Sequence, residues 1–172
     1  MPLKLFSRLF GNDDEPREAI RPLWHRVVEV AREKRWYGEM GVADTLDGRF
    51  DMITAVLALV LLRMEGDANL AAPSVYLTEL FVEDMDGQLR ESGVGDVVVG
   101  KHIGRLMSAV GGRLGAYREG LAQDDDKVLA AAVARNLSLI EGTAPETAAA
   151  GLRALYRKLS ETSDNQLMAG EI

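Results

Sequence analysis

The chain has 172 residues, of which 47% are hydrophobic and 27% are charged, and its formal net charge at pH 7 is −7. This length suits one domain with a full core, the composition excludes a disordered chain, and the negative charge argues against nucleic-acid binding. The lack of cysteine excludes a disulfide scaffold and thiolate metal sites, and two histidines are too few for most zinc sites. We therefore expect neither a metal nor another cofactor.

The first twelve residues form an amphipathic segment. Lys4 and Arg8 lie between apolar positions, which are Leu3, Leu5, Phe6, Leu9 and Phe10. Residues 11–14 break the pattern, so residues 1–12 are interpreted as a separate N-terminal tail. Such a tail is either a frayed terminus or an anchor for a membrane surface or a partner. Residues 1–10 are the candidate for peripheral membrane contact.

Hydrophobic residues recur with a helical period along nearly all of the remaining chain. The predicted helices cover residues 16–36, 45–65, 73–91, 97–121, 126–140 and 144–160. The second is apolar all round, which predicts a central core helix, and its longest apolar run is too short for a membrane span of about 20 residues. We expect an all-α fold, with a single compact bundle of about six helices in residues 13–162 and a loose C-terminal tail in residues 163–172.

Residues 95–101 match the spacing of a phosphate-binding loop, G-x-x-x-x-G-K. That loop needs Ser or Thr at the next position to hold magnesium, and His102 stands there instead. It also needs a preceding strand, whereas an amphipathic helix is predicted before it. No nucleotide-binding loop is therefore predicted.

Three carboxylates of the third predicted helix, Glu79, Glu83 and Asp86, suggest a metal site like that of all-helical nucleotide pyrophosphohydrolases. Glu83 and Asp86 have the spacing of half of that motif. At 100° per residue they share one face, opposite Leu77 and Phe81. No second helix offers a matching acidic trio. The three are therefore predicted to form a solvated or partner-facing acidic strip. No catalytic residue is predicted, and a metal-dependent pyrophosphohydrolase is kept as an alternative.

Two polar residues fall within apolar arcs of their helices, Asp84 between Leu77 and Leu80, and Asn136 on the fifth helix. A buried carboxylate needs a cation or a hydrogen-bond donor. Asp84, Asn136 and Arg135 are therefore candidates for a buried polar network, in which Lys101, Arg113 or Arg135 would pair with Asp84. The alternative is a place where a client protein is received.

The fourth predicted helix has three different faces. Its apolar stripe is joined by a glycine stripe, which consists of Gly100, Gly104, Gly111 and Gly115. Because glycine weakens helices, this stripe suggests the close approach of another helix. A third face is basic, and it carries Lys101, His102, Arg105 and Arg113. The basic face either neutralises the acidic helix or forms a docking surface.

The chain resembles the ubiquinol–cytochrome c chaperone family. The motifs, in order, are LTELFVEDMDGQLRESGVGD at residues 77–96, Lys101, the Gly112–Arg113 pair followed by Tyr117, and Ala134-Arg135-Asn136. The resemblance, which spans roughly residues 20 to 140, implies a non-enzymatic helical factor that helps to assemble respiratory complex III. Mitochondrial members bind newly made cytochrome b, work with a small partner protein and associate with the ribosome.

The resemblance implies a protein client, namely cytochrome b or another complex III subunit. The alternative is a general helical binding module with another client.

Because no Arg-rich transit peptide is recognisable, we expect a bacterial cytoplasmic protein. Cytoplasmic loops of bacterial membrane proteins are basic, so the acidic strip is favoured as the client site. The full set of candidate client-binding residues is Glu79, Glu83, Asp86, Arg90, Lys101, Arg105, Arg113 and Tyr117.

Overall fold

The computed structural model describes residues 14–91, 93 and 95–172, apart from the side chains of residues 14, 89 and 96–99. The predicted N-terminal tail lies outside the described residues. The described part contains eight helices and one isolated antiparallel bridge, so the predicted all-α class is confirmed. In chain order the helices are α1 (Asp14–Ala31), α2 (Lys34–Gly38), α3 (Leu46–Met64), α4 (Ala71–Glu91), α5 (Asp96–Leu121), α6 (Lys127–Asn136), α7 (Pro145–Glu161) and α8 (Asp164–Met168).

Helix α3 lies at the centre of the bundle. Its first turn is capped by the Thr45 hydroxyl, which accepts a hydrogen bond from the Gly48 amide at 3.1 Å. All residues from Met52 to Leu62 are buried, and α1, α4, α5 and α7 pack around the helix. A helix that is apolar on every side can only be stable when it is covered on every side, which explains its position.

Two predicted helices end earlier in the structure than their patterns suggested. The first is interrupted at Arg32–Glu33, and α2 folds back so that the Trp36 indole donates to the carbonyl of Val30 at 2.8 Å. The fifth stops at Asn136. The chain after it, residues 137–140, runs beside residues 41–43 through backbone hydrogen bonds. A local contact therefore replaces the next helical turn at the first place, and a contact with a distant segment replaces it at the second.

The C-terminal residues are not a loose tail, and that prediction is wrong. Helix α8 begins with a capping box, in which Ser163 and Gln166 each bond to the other's backbone amide. Leu167 and Ile172 are buried, and the Arg26 guanidinium donates to the main-chain oxygen of Ile172 at 2.9 and 3.1 Å. The buried side chains of Leu167 and Ile172 and the hydrogen bonds from Arg26 hold this segment against the rest of the bundle.

An aromatic cluster joins α1, α3 and α4. The Phe81 ring of α4 meets Trp24 of α1 edge to face, with ring centroids 6.0 Å apart, and lies 6.5 Å from Phe50 of α3. Phe81 is fully buried. Such pairs contribute about 0.5–1.5 kcal/mol beyond the burial of their area, so Phe81 connects three helices with one side chain.

We predict that Phe81→Ala lowers the free energy of unfolding by about 3–5 kcal/mol, because it leaves a cavity between three helices. Urea denaturation of the purified protein measures this. Val75→Ala is the control on the same helix, because Val75 is 55% exposed and its loss should change stability by only about 0.5 kcal/mol. A Phe81→Ala loss below about 1 kcal/mol would contradict the placement of α4.

Candidate docking surface

The acidic strip of α4 lines an open groove between α4 and α5. The side chains of Glu79, Glu83 and Asp86 are 50%, 55% and 33% exposed. The groove has a volume of about 630 Å³, and its floor is formed by Val82, Ile103 and Met107. An apolar floor beside an acidic wall is a surface that suits an amphipathic binding partner rather than plain solvent exposure.

One cation from α1 lies against this acidic wall. The Arg17 guanidinium donates to Glu83, and its Nε lies 3.5 Å from a carboxylate oxygen of Glu79. Asp86 accepts a hydrogen bond from Arg90 of the next turn at 2.9 Å. Among the described residues that line this part of the groove, Arg17 is the one cation against three carboxylates. Even with Arg90 beside Asp86, these described side chains keep a net negative charge.

The groove continues towards the start of α4. A second depression of about 470 Å³ shares Thr78 and Glu79 with the first and reaches Val75, Leu114 and Glu65. Val75 is 55% and Met107 is 37% exposed, so both depressions offer apolar side chains to a partner. We call the two depressions together the α4–α5 groove.

The glycine stripe of α5 lies on the outer side of the helix, and no described residue packs closely on it. A Cβ atom added at Gly100, Gly104, Gly111 or Gly115 would meet no atom within 4 Å. The predicted close approach of another helix is therefore not found among the described residues. Each glycine costs the helix about 1 kcal/mol relative to alanine, and no contact in the described fold offsets that cost.

Other glycines of the chain do serve internal packing. A Cβ at Gly120 would lie 2.7 Å from the Cα of Leu129, and one at Gly151 would lie 2.5 Å from the sulfur of Met40. These two positions require glycine because helices meet there. No such contact between helices is found along the glycine stripe of α5 among the described residues, because the space beside the helix is open there.

The basic face of α5 does not neutralise α4. Lys101 and Arg105 are exposed, and neither forms an ion pair with any residue that the structure describes. They remain candidates for binding a partner, on the side of α5 that faces away from the acidic wall. Arg113 was predicted to lie on the same basic face, but in the structure it is half-buried.

Arg113 is the centre of a half-buried polar network. Its guanidinium donates to one Asp51 oxygen at 2.7 Å and to the main-chain oxygen of Asn136 at 3.3 Å. The other Asp51 oxygen accepts from the backbone amide of Ser138 at 2.9 Å and from the Ser138 hydroxyl at 2.7 Å. The Arg113 and Asp51 side chains are only 11% and 14% exposed. This network ties α3, α5 and the segment after α6 together.

The placement of Arg113 and Tyr117 on a client-binding surface is therefore a prediction that the structure corrects. Tyr117 is fully buried in the core. Burial raises the pKa of the Tyr117 hydroxyl well above its ordinary value. Tyr117 points inwards because it lies on the apolar stripe of α5, which faces α3. Arg113, predicted on the basic face, lies at the edge of that stripe and reaches Asp51 of α3.

The predicted buried network also needs correction. Asp84 is exposed, and its partner is the indole of Trp24, which donates to the carboxylate at 2.6 Å, rather than a cation. Arg135 is exposed as well. Asn136 is half-buried, and its amide donates to the carbonyl of Ala132 at 2.9 Å. Asp84 lies at the edge of the apolar arc, where one oxygen reaches the indole while the carboxylate stays in water.

The sequence pattern did not identify Asp51, the half-buried carboxylate that does pair with a cation. The available signal was its position, because Asp51 immediately precedes the long apolar run of α3 that begins at Met52. A charged residue at the edge of a fully buried helix needs a partner. The pattern alone did not reveal that this partner is Arg113, which is 62 residues away.

Comparisons with known proteins bear on what this surface does. The family model described as ubiquinol–cytochrome C chaperone matches residues 38–172. The chain belongs to the ubiquinol–cytochrome c chaperone family. A chaperone role follows from this membership, and it implies a role without catalysis. The matched region contains both walls of the α4–α5 groove.

A solved structure supports the same conclusion. The crystal structure of the Cbp3 homolog from Brucella abortus is similar, with 34% sequence identity and a TM-score of 0.76. The match covers 100% of this chain and 95% of that one. No match was found among curated proteins. The likeness therefore extends over the whole bundle, including the helix α8 that the sequence pattern did not predict.

We predict that Arg113→Met lowers the free energy of unfolding by about 3–5 kcal/mol, because Asp51 is left buried without its cation. Arg105→Met on the exposed face of the same helix is the matched control, with an expected change of about 0.5 kcal/mol or less. Chemical denaturation measures both. Equal, small effects would show that Arg113 is not a structural residue.

Proposed function

We propose that this protein is an assembly chaperone that binds cytochrome b, or another subunit of ubiquinol–cytochrome c reductase, through the acidic wall of the α4–α5 groove. The observation that carries the proposal is the open groove itself. Its acidic wall and its apolar floor are both accessible, and the wall holds more negative charge than Arg17 neutralises. Family membership supplies the chaperone role that such a surface would perform.

The charge of the wall fits the proposed client. Membrane proteins of bacteria carry an excess of Lys and Arg in their cytoplasmic loops. A basic segment of the client would meet Glu79, Glu83 and Asp86 and would displace Arg17 from two of them. Attraction between exposed charges mainly raises the association rate, and it weakens with salt because the Debye length is about 8 Å at physiological ionic strength.

The place of action that we propose is the cytoplasmic side of a bacterial inner membrane. Among the described helices, none has the length and apolarity that a membrane crossing requires. Residues 1–10, with Lys4 and Arg8 between apolar side chains, would supply a peripheral contact with anionic lipid. Such a contact would keep the chaperone close to the newly inserted client.

The test neutralises the acidic wall without changing its shape. We expect the triple variant Glu79→Gln, Glu83→Gln and Asp86→Asn to fold, because exposed ion pairs contribute only about 0–1 kcal/mol each. Replacing the chromosomal gene by this variant should lower the amount of assembled complex III. Affinity capture from solubilised membranes should also retain less cytochrome b.

The matched control removes the same charge from another part of the surface. Glu141, Glu161 and Glu171 are exposed and lie outside the groove. Their change to Gln should leave complex III at its normal level. If the groove variant is folded and complex III is unchanged, the acidic wall is not the client site. Capture of a different membrane protein at unchanged complex III would favour a general helical binding module.

A further inference from the structure

The acidic wall of the α4–α5 groove holds a cation that comes from the first turn of α1. The Arg17 guanidinium donates to Glu83, and its Nε lies 3.5 Å from a carboxylate oxygen of Glu79. Helix α1 begins at Asp14, three residues before Arg17, which is about 4.5 Å along the helix axis. The described part of the chain therefore begins close to the edge of the groove.

The residues that precede α1 have the composition that this groove would bind. Residues 3–10 contain two cations, Lys4 and Arg8, and no acidic residue. Their large apolar side chains are Leu3, Leu5, Phe6, Leu9 and Phe10. The groove offers the complement, because it has an acidic wall above an apolar floor. Lys4 and Arg8 are four residues apart in the sequence, as are Glu79 and Glu83.

The connection between this segment and α1 is short enough to keep the segment beside the groove. Four residue steps separate Phe10 from Asp14, and an extended chain covers at most about 14 Å over that distance. A short linker gives an effective concentration of about 1 mM at a neighbouring site. Even a free segment with a dissociation constant of about 0.1 mM would, when tethered in this way, be bound about ten times more often than released.

We propose that residues 3–10 of the chain itself occupy the α4–α5 groove when no client is bound. Their apolar side chains lie on the floor, and Lys4 and Arg8 lie beside Glu79 and Glu83. The stems of Lys and Arg extend along apolar surface while their charged ends reach the carboxylates. This inference uses the groove of the proposed function, but it does not require cytochrome b to be the client.

Occupation by residues 3–10 would control access to the groove. A client segment has to displace the chain's own residues, so a groove that is free about one tenth of the time binds its client about 10-fold more weakly than an open groove. The peripheral lipid contact proposed above uses the same apolar side chains. Lipid contact and occupation of the groove therefore exclude each other, and a membrane that takes up residues 3–10 opens the groove.

The test measures how close the segment lies to the groove in the full chain, whose sequence contains no cysteine. The groove pair combines Ser7→Cys with Met107→Cys, because Met107 lines the groove and is 37% exposed. The control pair combines Ser7→Cys with Ile140→Cys, because Ile140 is 51% exposed and lies outside the groove. A disulfide forms only when the two Cα atoms come within about 7 Å. With oxidised glutathione as the oxidant, we expect the groove pair to form its intramolecular disulfide at least ~10-fold faster than the control pair.

A charge exchange then tests what holds the segment in place. Adding Lys4→Glu and Arg8→Glu to the groove pair should slow disulfide formation to the rate of the control pair, because like charges then face each other. Adding Glu79→Lys and Glu83→Lys as well should restore the fast rate, because the two sides are again opposite in charge. Glu79 and Glu83 are exposed, and the urea midpoint of each variant checks that the fold is retained.

Three results would overturn the inference. The first is an equal rate of disulfide formation in the groove pair and the control pair. The second is a disulfide between two molecules, formed faster at higher protein concentration, which would identify a second copy as the occupant. The third is fast linkage that the charge exchange does not change, which would show that Lys4 and Arg8 do not face the acidic wall.

These results are separable from a failure of the proposed function. If the groove pair links fast while the triple variant of the acidic wall leaves complex III unchanged, the groove receives the chain's own segment and the client binds elsewhere. If the groove pair links at the control rate while the triple variant lowers complex III, the client binds the groove and residues 3–10 do not.

Discussion

The requirement to cover α3 on every side is the constraint on which the rest of this structure depends. All residues from Met52 to Leu62 are buried, and four helices surround them. Full burial of each Val or Leu side chain contributes about 1.5–3 kcal/mol, so most of the core energy is concentrated around one helix. The surrounding helices consequently need one apolar face each, and their outer faces are free to carry charge or glycine.

The apolar stripe of α5 and the ion pair between Asp51 and Arg113 together determine how α5 is rotated on this core. Burying two charges is costly unless they are paired and hydrogen-bonded, so Arg113 has to face α3 and the segment at Ser138. Gly111 lies two positions earlier, about 200° around the helix, and therefore faces outwards. The outward orientation of the glycine stripe thus follows from contacts on the opposite side of the same helix.

The sequence predicts those structural features to which many residues contribute through one pattern. It does not predict features that depend on a single contact between distant residues. Long helices and the exposed acidic strip followed from the helical period, because Glu79, Glu83 and Asp86 lie opposite Leu77 and Phe81. The indole of Trp24 as the partner of Asp84, and Arg113 as that of Asp51, depend on pairings between distant helices that no local pattern encodes. Residues 163–172 contain too few apolar positions to establish a period, so the docking of Leu167 and Ile172 was missed.

The contact between α1 and the segment after α7 has a consequence for folding during synthesis. Arg26 binds the main-chain oxygen of Ile172, 146 residues later in the sequence, and Gly170 fits against the carbonyl of Pro22. Contacts between such distant residues form late, because the intervening loop must first be closed. On the ribosome, α1 can meet α3 and α4 early, but this side of it stays uncovered until most of the chain has been made. The bundle is therefore complete only when residues 163–172 have been translated. A chain that stalls before this point would leave one side of α1 exposed to the proteases and chaperones of the cell.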